Sequence, residues 1–395
     1  MPLESRLNYV VKVASGCNLN CSYCYVYNQA DTTWRERGGT MSRETFEAMI
    51  ERIRRHCLLS GQEEVQLAFH GGEPTLVGPA RLAWMCATAR ERLGELAEVG
   101  FSMQTNGTRL NETWVSVLAE HDVRVSVSLD GPREINDVHR VDRSGRGSHD
   151  AVLRGISLLR AAEVPFGILS VVQLGAEPLV IHRHFLELGA ASIGYLLPSY
   201  THDTIGAVRS EFGPTPVADF LIPIFEDWWF NSSIEVSIRE FWNLARLIMG
   251  GSTRLDTIGN PPLRFVAVES DGAIFGLDKL RSCEDGMAAM GLSVHDADFR
   301  EIADAAPFHA AVLAGLPLPS GCGACPERDT CAGGHLPNRY SKARGFDNPS
   351  VWCADLLALF AHIRGRMGIS HEETRLRRES LRQSREQALA AVEIS

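Results

Sequence analysis

The chain has 395 residues, 45% hydrophobic and 22% charged, which is typical of a globular protein with one large domain or two medium ones. Its formal charge of −10 argues against nonspecific nucleic-acid binding. No apolar run approaches the roughly 18 residues of a membrane span, and the N-terminus lacks the apolar core of a signal peptide. We therefore expect no nucleic-acid or membrane partner and a cytoplasmic location, where ten cysteines are metal ligands or free thiols rather than disulfides.

Strand-like apolar runs alternate with helical patterns over the first half of the chain. The pattern predicts strands at 8–14, 64–69, 100–104, 123–129, 166–173 and 192–197. It predicts helices at 42–58, 79–94, 111–120, 149–162 and 178–188. This alternation indicates an α/β fold with a parallel sheet and crossover helices. Six repeats are fewer than the eight of a closed barrel, so a partial (β/α)6 barrel fits, with functional residues at the carboxyl ends of its strands.

Three cysteines follow the first predicted strand with the spacing C-x3-C-x2-C: Cys17, Cys21 and Cys24. Clustered thiolates are soft ligands that suit zinc or iron–sulfur chemistry. Three of them leave one iron of a four-iron cluster without a protein ligand, and an open metal position is typical of a reactive site. The alternatives are a zinc knuckle with a fourth ligand from elsewhere, or reduced thiols without a metal.

This loop, with Tyr23 before its third cysteine, resembles the cluster motif of the radical S-adenosylmethionine (SAM) enzymes. The resemblance implies a [4Fe–4S] cluster whose open iron binds the amino and carboxylate groups of SAM. It also implies that reduction cleaves SAM to a 5′-deoxyadenosyl radical, which abstracts a hydrogen atom from the substrate. The spacing itself indicates three soft ligands and an open site.

Further motifs follow the next predicted strands. Gly71 and Gly72 allow close backbone approach to a ligand, and the neighbouring carboxylate of Glu73 can accept hydrogen bonds from an ammonium group. By themselves these residues are also consistent with an ordinary turn. They resemble the GGE motif that holds the SAM amino group, and the later segments resemble other SAM-binding motifs of radical SAM peptide modifiers. The resemblance assigns SAM contacts, to the ribose and to the carboxylate, to Asn106, Ser128 and Arg140.

The C-terminal half carries a second cysteine group, Cys322, Cys325, Cys331 and Cys353. Four thiolates can close an iron–sulfur cluster or a structural zinc site. Their order resembles the SPASM extension of radical SAM peptide maturases, which holds two auxiliary [4Fe–4S] clusters. Leu277 and His335 stand where that extension has further cysteines. We therefore expect one auxiliary cluster on the four cysteines, with partial ligation of another by Cys283 and His335 as the minor alternative.

Asp278 aligns with the aspartate that serves as catalytic base in sulfatase maturases, which resemble this chain more distantly. A base near the radical site would take up the proton released when a substrate radical is oxidised. The alternative is a solvated carboxylate in a hairpin. Arg239 also matches a segment of the sulfatase maturases, without an assigned role.

The predicted domains are a radical SAM barrel at 1–200, a helical bridge at 201–265, a SPASM-like domain at 266–365 and a C-terminal helix at 366–395. The segment from Cys331 to Cys353 resembles maturases of ribosomally made peptides related to FxsB and the cyclophane-forming enzymes. The resemblance implies an enzyme that crosslinks side chains of a precursor peptide, with an electron donor such as flavodoxin or ferredoxin. Because the first strand begins near residue 8, we expect leader binding by a separate protein or by the bridge. The alternatives are a sulfatase-type maturase that makes formylglycine, and a non-catalytic metal-binding protein that interacts with peptides.

Overall fold

The computed structural model describes residues 7–231, 236–253, 255–259 and 261–392. Its strands are β1 (Asn8–Ala14), β2 (Glu64–Gly71), β3 (Glu98–Thr105), β4 (Val123–Ser128), β5 (Phe166–Val171), β6 (Ser192–Leu196), β7 (Ser237–Ile238), β8 (Phe265–Val268), β9 (Ala273–Phe275) and β10 (Ala289–Ser293). Its helices are α1 (Arg43–Ser60), α2 (Pro79–Leu93), α3 (Glu112–Glu120), α4 (Arg133–His139), α5 (His149–Ala161), α6 (Pro178–Glu187), α7 (Gly206–Phe212), α8 (Pro216–Phe230), α9 (Arg239–Ile248), α10 (Ile302–Ala305), α11 (Pro307–Ala314), α12 (Cys353–Met367) and α13 (His371–Val392).

The six strands β1 to β6 lie side by side in chain order and run parallel to one another. Helices connect each of them to the next, which is the crossover arrangement of the predicted partial barrel. On the other side of β1, β8 runs parallel to it, and β9 and β10 extend the sheet in antiparallel fashion. The prediction of an α/β fold with a parallel sheet is therefore confirmed.

The strand and helix predictions agree with the structure because the apolar residues have the expected periods. In β1, Tyr9, Val11 and Val13 are fully buried, as expected for a strand covered by helices. Asn111 caps α3 by accepting a hydrogen bond from the backbone N–H of Trp114 at 3.0 Å. The sequence pattern does not indicate the short helix α4.

The described chain divides into two compact units. The first contains Met1–Val171, Val180–Ser199 and Pro262–Leu316, and so includes the parallel strands with the β8–β10 segment. The second contains Val172–Leu179, Tyr200–Pro261 and Pro317–Ser395. These units group residues 262–316 with the barrel strands, whereas the sequence-based boundaries place 262–265 in the bridge and 266–316 in the SPASM-like domain.

An aromatic cluster forms the core of the second unit. Trp228 is buried and donates a hydrogen bond from Nε1 to the Val236 carbonyl at 3.1 Å. The ring of Phe225 stacks on Trp229 at 5.4 Å and meets Phe241 edge-on at 5.3 Å. The aromatic residues of the predicted bridge are therefore mainly structural. In the part of the chain that the structure describes, no helix has the length and apolar character needed to cross a membrane.

Candidate active site

A cavity in the first unit opens where the parallel strands end. Its volume is about 1040 Å³ when the open mouth is included. Parallel strands in chain order all finish at the same edge of the sheet, so loops that are far apart in sequence meet there. Among the lining residues are Cys17, Cys21, Cys24, Gly71, Gly72, Glu73, Asn106, Ser128 and Arg140. The structure therefore brings together around one space all the residues that the sequence motifs assign to the cluster and to SAM.

The cysteine loop is held in place by side chains from the end of β3. Asn106 donates from Nδ2 to Asn18 Oδ1 at 2.9 Å, and Asn18 donates to Thr108 Oγ1 at 2.9 Å. Burial raises the pKa of the Cys17 thiol to about 12, although the Leu19 backbone N–H donates to its sulfur. The charges of Cys21 and Cys24 raise this pKa further, so the three sulfurs lie near one another. Asn106 thus orients the loop of candidate cluster ligands.

Gly71 and Gly72 allow another segment of the backbone, Ala14–Gly16, to approach them closely. A Cβ atom on Gly71 would lie 2.2 Å from the Ala14 carbonyl oxygen, and one on Gly72 would lie 2.2 Å from that of Gly16. Gly71 also has a φ of +146°, which side chains disfavour. The backbone segment that leads from β1 into the cysteine loop therefore packs directly on these glycines.

The Glu73 carboxylate joins the ends of β2 and β3. It accepts hydrogen bonds from Thr75 and Thr105 hydroxyls at 2.6 Å each and from the Asn106 backbone N–H at 2.7 Å. A fourth comes from the Thr75 backbone N–H at 3.0 Å, and the side chain is buried. These donors occupy much of the hydrogen-bonding capacity of the Glu73 carboxylate. Glu73 therefore holds the loops that follow β2 and β3 in a fixed position.

A buried charge cluster borders the cysteine loop on another side. Asp130 accepts hydrogen bonds from the Tyr23 hydroxyl and from the Val171 backbone N–H, the latter at 3.0 Å. Arg140 donates from Nη1 to the Tyr23 hydroxyl at 2.9 Å, while its buried Nε has no hydrogen-bond partner. Burial alone would lower the pKa of Arg140, but Tyr23, Cys21 and Asp130 raise it. A permanent cation with an unpaired donor therefore faces the cavity.

Asp278 is buried in a network of cations rather than solvated in a hairpin. Its Oδ2 lies 2.5 Å from Lys12 Nζ and accepts a hydrogen bond of 2.7 Å from the Tyr25 hydroxyl. Its Oδ1 lies 2.7 Å from Arg281 Nε. Burial would raise the pKa of Asp278, but Lys12 and Arg281 outweigh it and hold the pKa well below its usual range. Tyr25 and Lys279 line the cavity, whereas Asp278 is absent from the described lining.

Two further residues extend this network. The guanidinium of Arg281, 1% exposed, also pairs with Asp31 at 2.5 Å and with Glu269 at 2.7 Å. His70 lies on the cavity wall opposite Lys12 in the β1–β2 register, with Nδ1 3.4 Å from Lys12 Nζ. Burial and the charge of Lys12 lower the pKa of His70 to about 3, so its imidazole is neutral.

The second unit holds the other cysteine group. The Cys325 N–H donates to the Cys322 carbonyl at 3.2 Å, and the Cys331 N–H donates to the Glu327 carbonyl at 2.7 Å. Cys353 begins α12. Burial raises the pKa of Cys331 to about 12, and the charges of Cys353, Cys322 and Cys325 raise it further. The four thiols therefore lie close enough for each to influence the others.

Leu277 and His335, which replace cysteines of the SPASM pattern, and the nearby Cys283 are all buried. Leu277 and Cys283 belong to the first unit, and neither is accessible to solvent to any large extent. His335, in the second unit, lies 3.5 Å from Asp256. Among the described residues, no group of three or more His, Cys, Asp or Glu side chains is arranged to hold a single metal ion.

The fold and the cavity together define the class of this protein. The sequence profile of the Radical SAM superfamily matches residues 11–177, which span β1 to β5 and include the cysteine loop, both glycines and Arg140. This part of the chain is a radical SAM domain, and its cofactors are SAM and a [4Fe–4S] cluster.

Similarity to known proteins extends over most of the chain. The cysteine-type anaerobic sulfatase-maturating enzyme of Clostridium perfringens is 28% identical over 370 residues, which cover 90% of this chain and 96% of the relative. The serine-type enzyme of Klebsiella aerogenes is 26% identical over 339 residues, which cover 82% and 77%. The chain is thus similar to maturating enzymes along both units.

Solved structures show the same relationship. Native anSMEcpe with bound AdoMet and a Cp18Cys peptide superposes with a TM-score of 0.77 at 25% identity, covering 91% of this chain and 97% of that one. Streptococcus suis SuiB bound to its precursor peptide SuiA superposes with a TM-score of 0.59 at 14% identity, covering 89% and 76%. The second match shows the fold alone. The chain therefore contains a radical SAM domain and is similar to anaerobic sulfatase-maturating enzymes over most of its length.

The residues of the cavity fit the cofactors of this class. Three half-buried thiols, those of Cys17, Cys21 and Cys24, are soft ligands for iron, and three of them leave the open position that SAM requires. The unpaired Nε of Arg140 suits an anionic group such as a carboxylate. When bound, the cluster and SAM would supply the electron and the radical that remove a hydrogen atom from the substrate.

Sequence reasoning missed Lys12, Tyr25, His70 and Arg281, because each of them acts through a partner distant in sequence. One signal was available for Lys12, which is a single cation within the otherwise apolar strand β1 and is only 3% exposed. A buried lysine requires a buried anion, and its partner is Asp278, 266 positions away.

Proposed function

We propose that this enzyme modifies a ribosomally synthesised precursor peptide by crosslinking a side-chain Cβ to an aromatic ring or another side chain. The observation that carries the proposal is the cavity that collects the three cysteines, the glycine motif, Arg140 and Tyr25 at the ends of parallel strands. The candidate radical site and the Tyr25 hydroxyl, which leads to the proton acceptor Asp278, then border one largely apolar space.

In this proposal, Cys17, Cys21 and Cys24 hold the cluster. Arg140 binds the carboxylate of SAM through its unpaired Nε, and the backbone at Gly71 and Gly72 lies beside the SAM amino group, with Glu73 keeping that backbone in place. Ser128, whose hydroxyl accepts a hydrogen bond of 2.8 Å from Gln104, contacts the ribose. Asn106 secures the cysteine loop through Asn18 and lines the same space.

The proton released in the reaction passes to Asp278 through Tyr25. The 5′-deoxyadenosyl radical that bound SAM would supply takes a hydrogen atom from Cβ and becomes 5′-deoxyadenosine, and the carbon radical then adds to the ring. Loss of one electron then leaves a strongly acidic ring cation, which restores aromaticity by losing a proton. The Tyr25 hydroxyl can take up this proton while giving its own to Asp278 at 2.7 Å. Lys12 and Arg281 keep the Asp278 carboxylate ionised, so it can accept this proton.

We propose that the electron lost after the carbon radical adds to the ring is accepted by a cluster in the second unit. We assign one auxiliary [4Fe–4S] cluster to Cys322, Cys325, Cys331 and Cys353, because four mutually close thiols complete its ligation. The SPASM extension has a site for another auxiliary cluster, but in this chain Leu277 stands where that site needs a cysteine. We propose that this other auxiliary cluster is absent.

A sulfatase-type maturase is the second candidate, and the similarity to anaerobic sulfatase-maturating enzymes over 90% of the chain favours it. That reaction oxidises Cys or Ser to formylglycine and needs a base for the thiol or hydroxyl. The leucine at position 277, where the auxiliary cluster of those maturases needs a cysteine, favours the crosslink over this alternative.

Mass spectrometry separates the two reactions. The anaerobically reconstituted enzyme is incubated with SAM, dithionite and either of two kinds of substrate, a peptide from any short open reading frame found beside its gene or a Cys-containing sulfatase peptide. A crosslink removes two hydrogen atoms from the first peptide, keeps all its sulfur and prevents fragmentation between the joined residues. Formylglycine in the second peptide replaces sulfur by an aldehyde oxygen, which an aldehyde-reactive probe detects, and would overturn the crosslinking proposal if the first peptide stays unchanged.

A further inference from the structure

Arg339 is a buried arginine of the second unit, at the end of a short 3-10 helix, Leu336–Arg339. It is 2% exposed, and its guanidinium donates hydrogen bonds to two backbone carbonyl oxygens, from Nε to that of Phe346 at 3.1 Å and from Nη2 to that of Pro317 at 3.0 Å. The Asn348 side-chain amide donates to the Arg339 carbonyl at 2.9 Å, which fixes the backbone as well. Uncharged partners therefore hold this cation in one place.

The buried charge of Arg339 needs a compensating anion. An arginine stays cationic at any ordinary pH, and a buried cation is costly unless it is paired. Among the residues that the structure describes, no carboxylate oxygen lies within 4.0 Å of the guanidinium nitrogens. Asp347 influences Arg339 from a greater distance, but its carboxylate is 53% exposed and pairs with Arg344 at 3.3 Å. The charge therefore depends on another kind of anion.

The thiols next to Arg339 become such an anion when they lose their protons to bind a metal. The carbonyl that accepts from Nη2 precedes Cys322 by five residues, and Nη1 lies 3.6 Å from where a Cβ atom on Gly333 would be, two residues after Cys331. Burial lowers the pKa of the Arg339 guanidinium, and the charges of Cys322 and Cys331 are among those that raise it. Burial raises the pKa of the Cys322 thiol, which the charge of Arg339 lowers. The guanidinium thus lies beside two segments that carry cysteines of this group.

A cation in this position acts on the redox chemistry of a cluster. A [4Fe–4S] cluster held by four thiolates is anionic in both redox states, and it gains one further negative charge when it is reduced. A fixed cation nearby therefore stabilises the reduced state more than the oxidised state, and the effect is large where water is excluded. Net charge and hydrogen bonds to the sulfurs are the features that set a cluster's reduction potential. The Gly333 N–H donates to the Cys331 sulfur, but that donor is neutral, whereas Arg339 brings a full charge.

We propose that Arg339 raises the reduction potential of the auxiliary cluster on Cys322, Cys325, Cys331 and Cys353, and so makes this cluster a better electron acceptor. The inference rests on the proposed function, which assigns the cluster and its role. One electron passes to the oxidised cluster from the radical formed by addition to the ring, and no bond breaks and no proton moves in this step. Arg339 acts through the cluster rather than on the peptide, and it keeps its charge and its hydrogen bonds throughout.

The test is a redox titration, followed by electron paramagnetic resonance, of the full-length, anaerobically reconstituted variant C17A/C21A/C24A, which keeps the second cysteine group and lacks the first. In this background, R339Q should make reduction about tenfold less favourable, which is a midpoint potential about 59 mV more negative. R339K keeps the charge and should stay within about twofold of the background. The control R344Q removes the same charge from a side chain that is 56% exposed and should also stay within about twofold. Equal potentials for R339Q and R344Q would overturn the inference.

Iron content separates this inference from the function on which it rests. If C17A/C21A/C24A holds zinc or no iron, the proposed function loses its electron acceptor and the inference falls with it. If the variant holds about four irons and its potential does not respond to R339Q, the role of Arg339 alone is wrong.

Where R339Q itself loses iron, the comparison with R339K decides. Iron and potential that are both retained in R339K would show that the cluster needs the positive charge, which supports the inference. Loss of iron in both variants would show that Arg339 only maintains the fold around the cysteines, which contradicts it.

Discussion

Tyr25 donates a hydrogen bond of 2.7 Å to Asp278, and of these two residues the tyrosine lines the cavity. The carboxylate is reached through the phenol rather than from the cavity directly. Lys12 and Arg281 keep it ionised, so it is always available as an acceptor. In the proposed reaction, this arrangement would separate the step that makes the radical, which involves the cysteine loop, from the step that removes the proton.

Asp278→Asn should therefore uncouple the two steps. We expect product formation per 5′-deoxyadenosine to fall about 100-fold because the proton loses its acceptor, while SAM cleavage without peptide changes little. Liquid chromatography of both products measures the ratio. The matched control is Asp271→Asn in the same hairpin, whose side chain is 47% exposed and should leave the ratio unchanged. Equal ratios in the two variants would remove Asp278 from the reaction.

Arg140→Gln tests the proposed contact with the SAM carboxylate. Loss of a charge-assisted hydrogen bond in a buried site should weaken SAM binding by about tenfold to a hundredfold. Equilibrium dialysis with labelled SAM on the reconstituted enzyme measures this change. Arg146→Gln is the control, since that side chain is 81% exposed. If both variants bind SAM equally well, the anion site lies elsewhere.

Iron analysis tests the number of clusters. Two four-iron clusters give about eight irons per chain, and a third would give about twelve. Replacing Cys17, Cys21 and Cys24 together by Ala should leave about four irons and abolish SAM cleavage. The variant C57A/C86A, which changes two buried cysteines outside both groups, should keep about eight. Continued 5′-deoxyadenosine formation by the triple variant would show that the cysteine loop is not the radical site.

Arg281→Met should destabilise the fold more than it affects SAM binding. It leaves Asp31, Glu269 and Asp278 without their shared partner, and removing one member of a buried ion pair costs about 3–5 kcal/mol. Urea unfolding followed by tryptophan fluorescence measures the free energy of unfolding. Arg55→Met, with a side chain 50% exposed, should cost less than about 1 kcal/mol. Similar costs for both would mean that the buried network stabilises little.

His70 gives the stability of the first unit a pH dependence. Its pKa is about 3 in the folded protein and about 6.5 in an unfolded chain. Below pH 6.5 the unfolded state therefore binds a proton that the folded state does not, and stability falls as the pH decreases toward 3, by up to about 1.4 kcal/mol per pH unit. His70→Gln cannot titrate and should show a shallower decline in urea unfolding between pH 6.5 and 5. His121→Gln, a residue of the same unit at the end of α3, serves as the control.

The sequence pattern predicts the parallel strands well because each has its own apolar period and its own turn residues. It also predicts which loops meet, because strand order places their ends at one edge. The buried network could not be predicted in the same way. The contact between Lys12 and Asp278 depends on β8 pairing with β1, and nothing local in either segment specifies that pairing.

The roles within the motifs were also hard to assign from residue type alone. The sequence predicts that Glu73 binds an ammonium group, yet its carboxylate oxygens accept four hydrogen bonds from other residues of the chain. The motif resemblance predicts that Asn106 contacts the SAM ribose, yet Asn106 also donates a hydrogen bond to Asn18 in the cysteine loop. A motif residue can serve geometry and binding together, and the sequence does not separate the two.

The close approach of Gly71 and Gly72 to the Ala14–Gly16 backbone has a consequence for engineering. Combinatorial libraries that randomise these two positions would lose most members to misfolding before any new chemistry could be selected. Diversity aimed at altered peptide choice belongs instead at Leu197, Ser199 and Lys279, which line the same cavity and are not glycines.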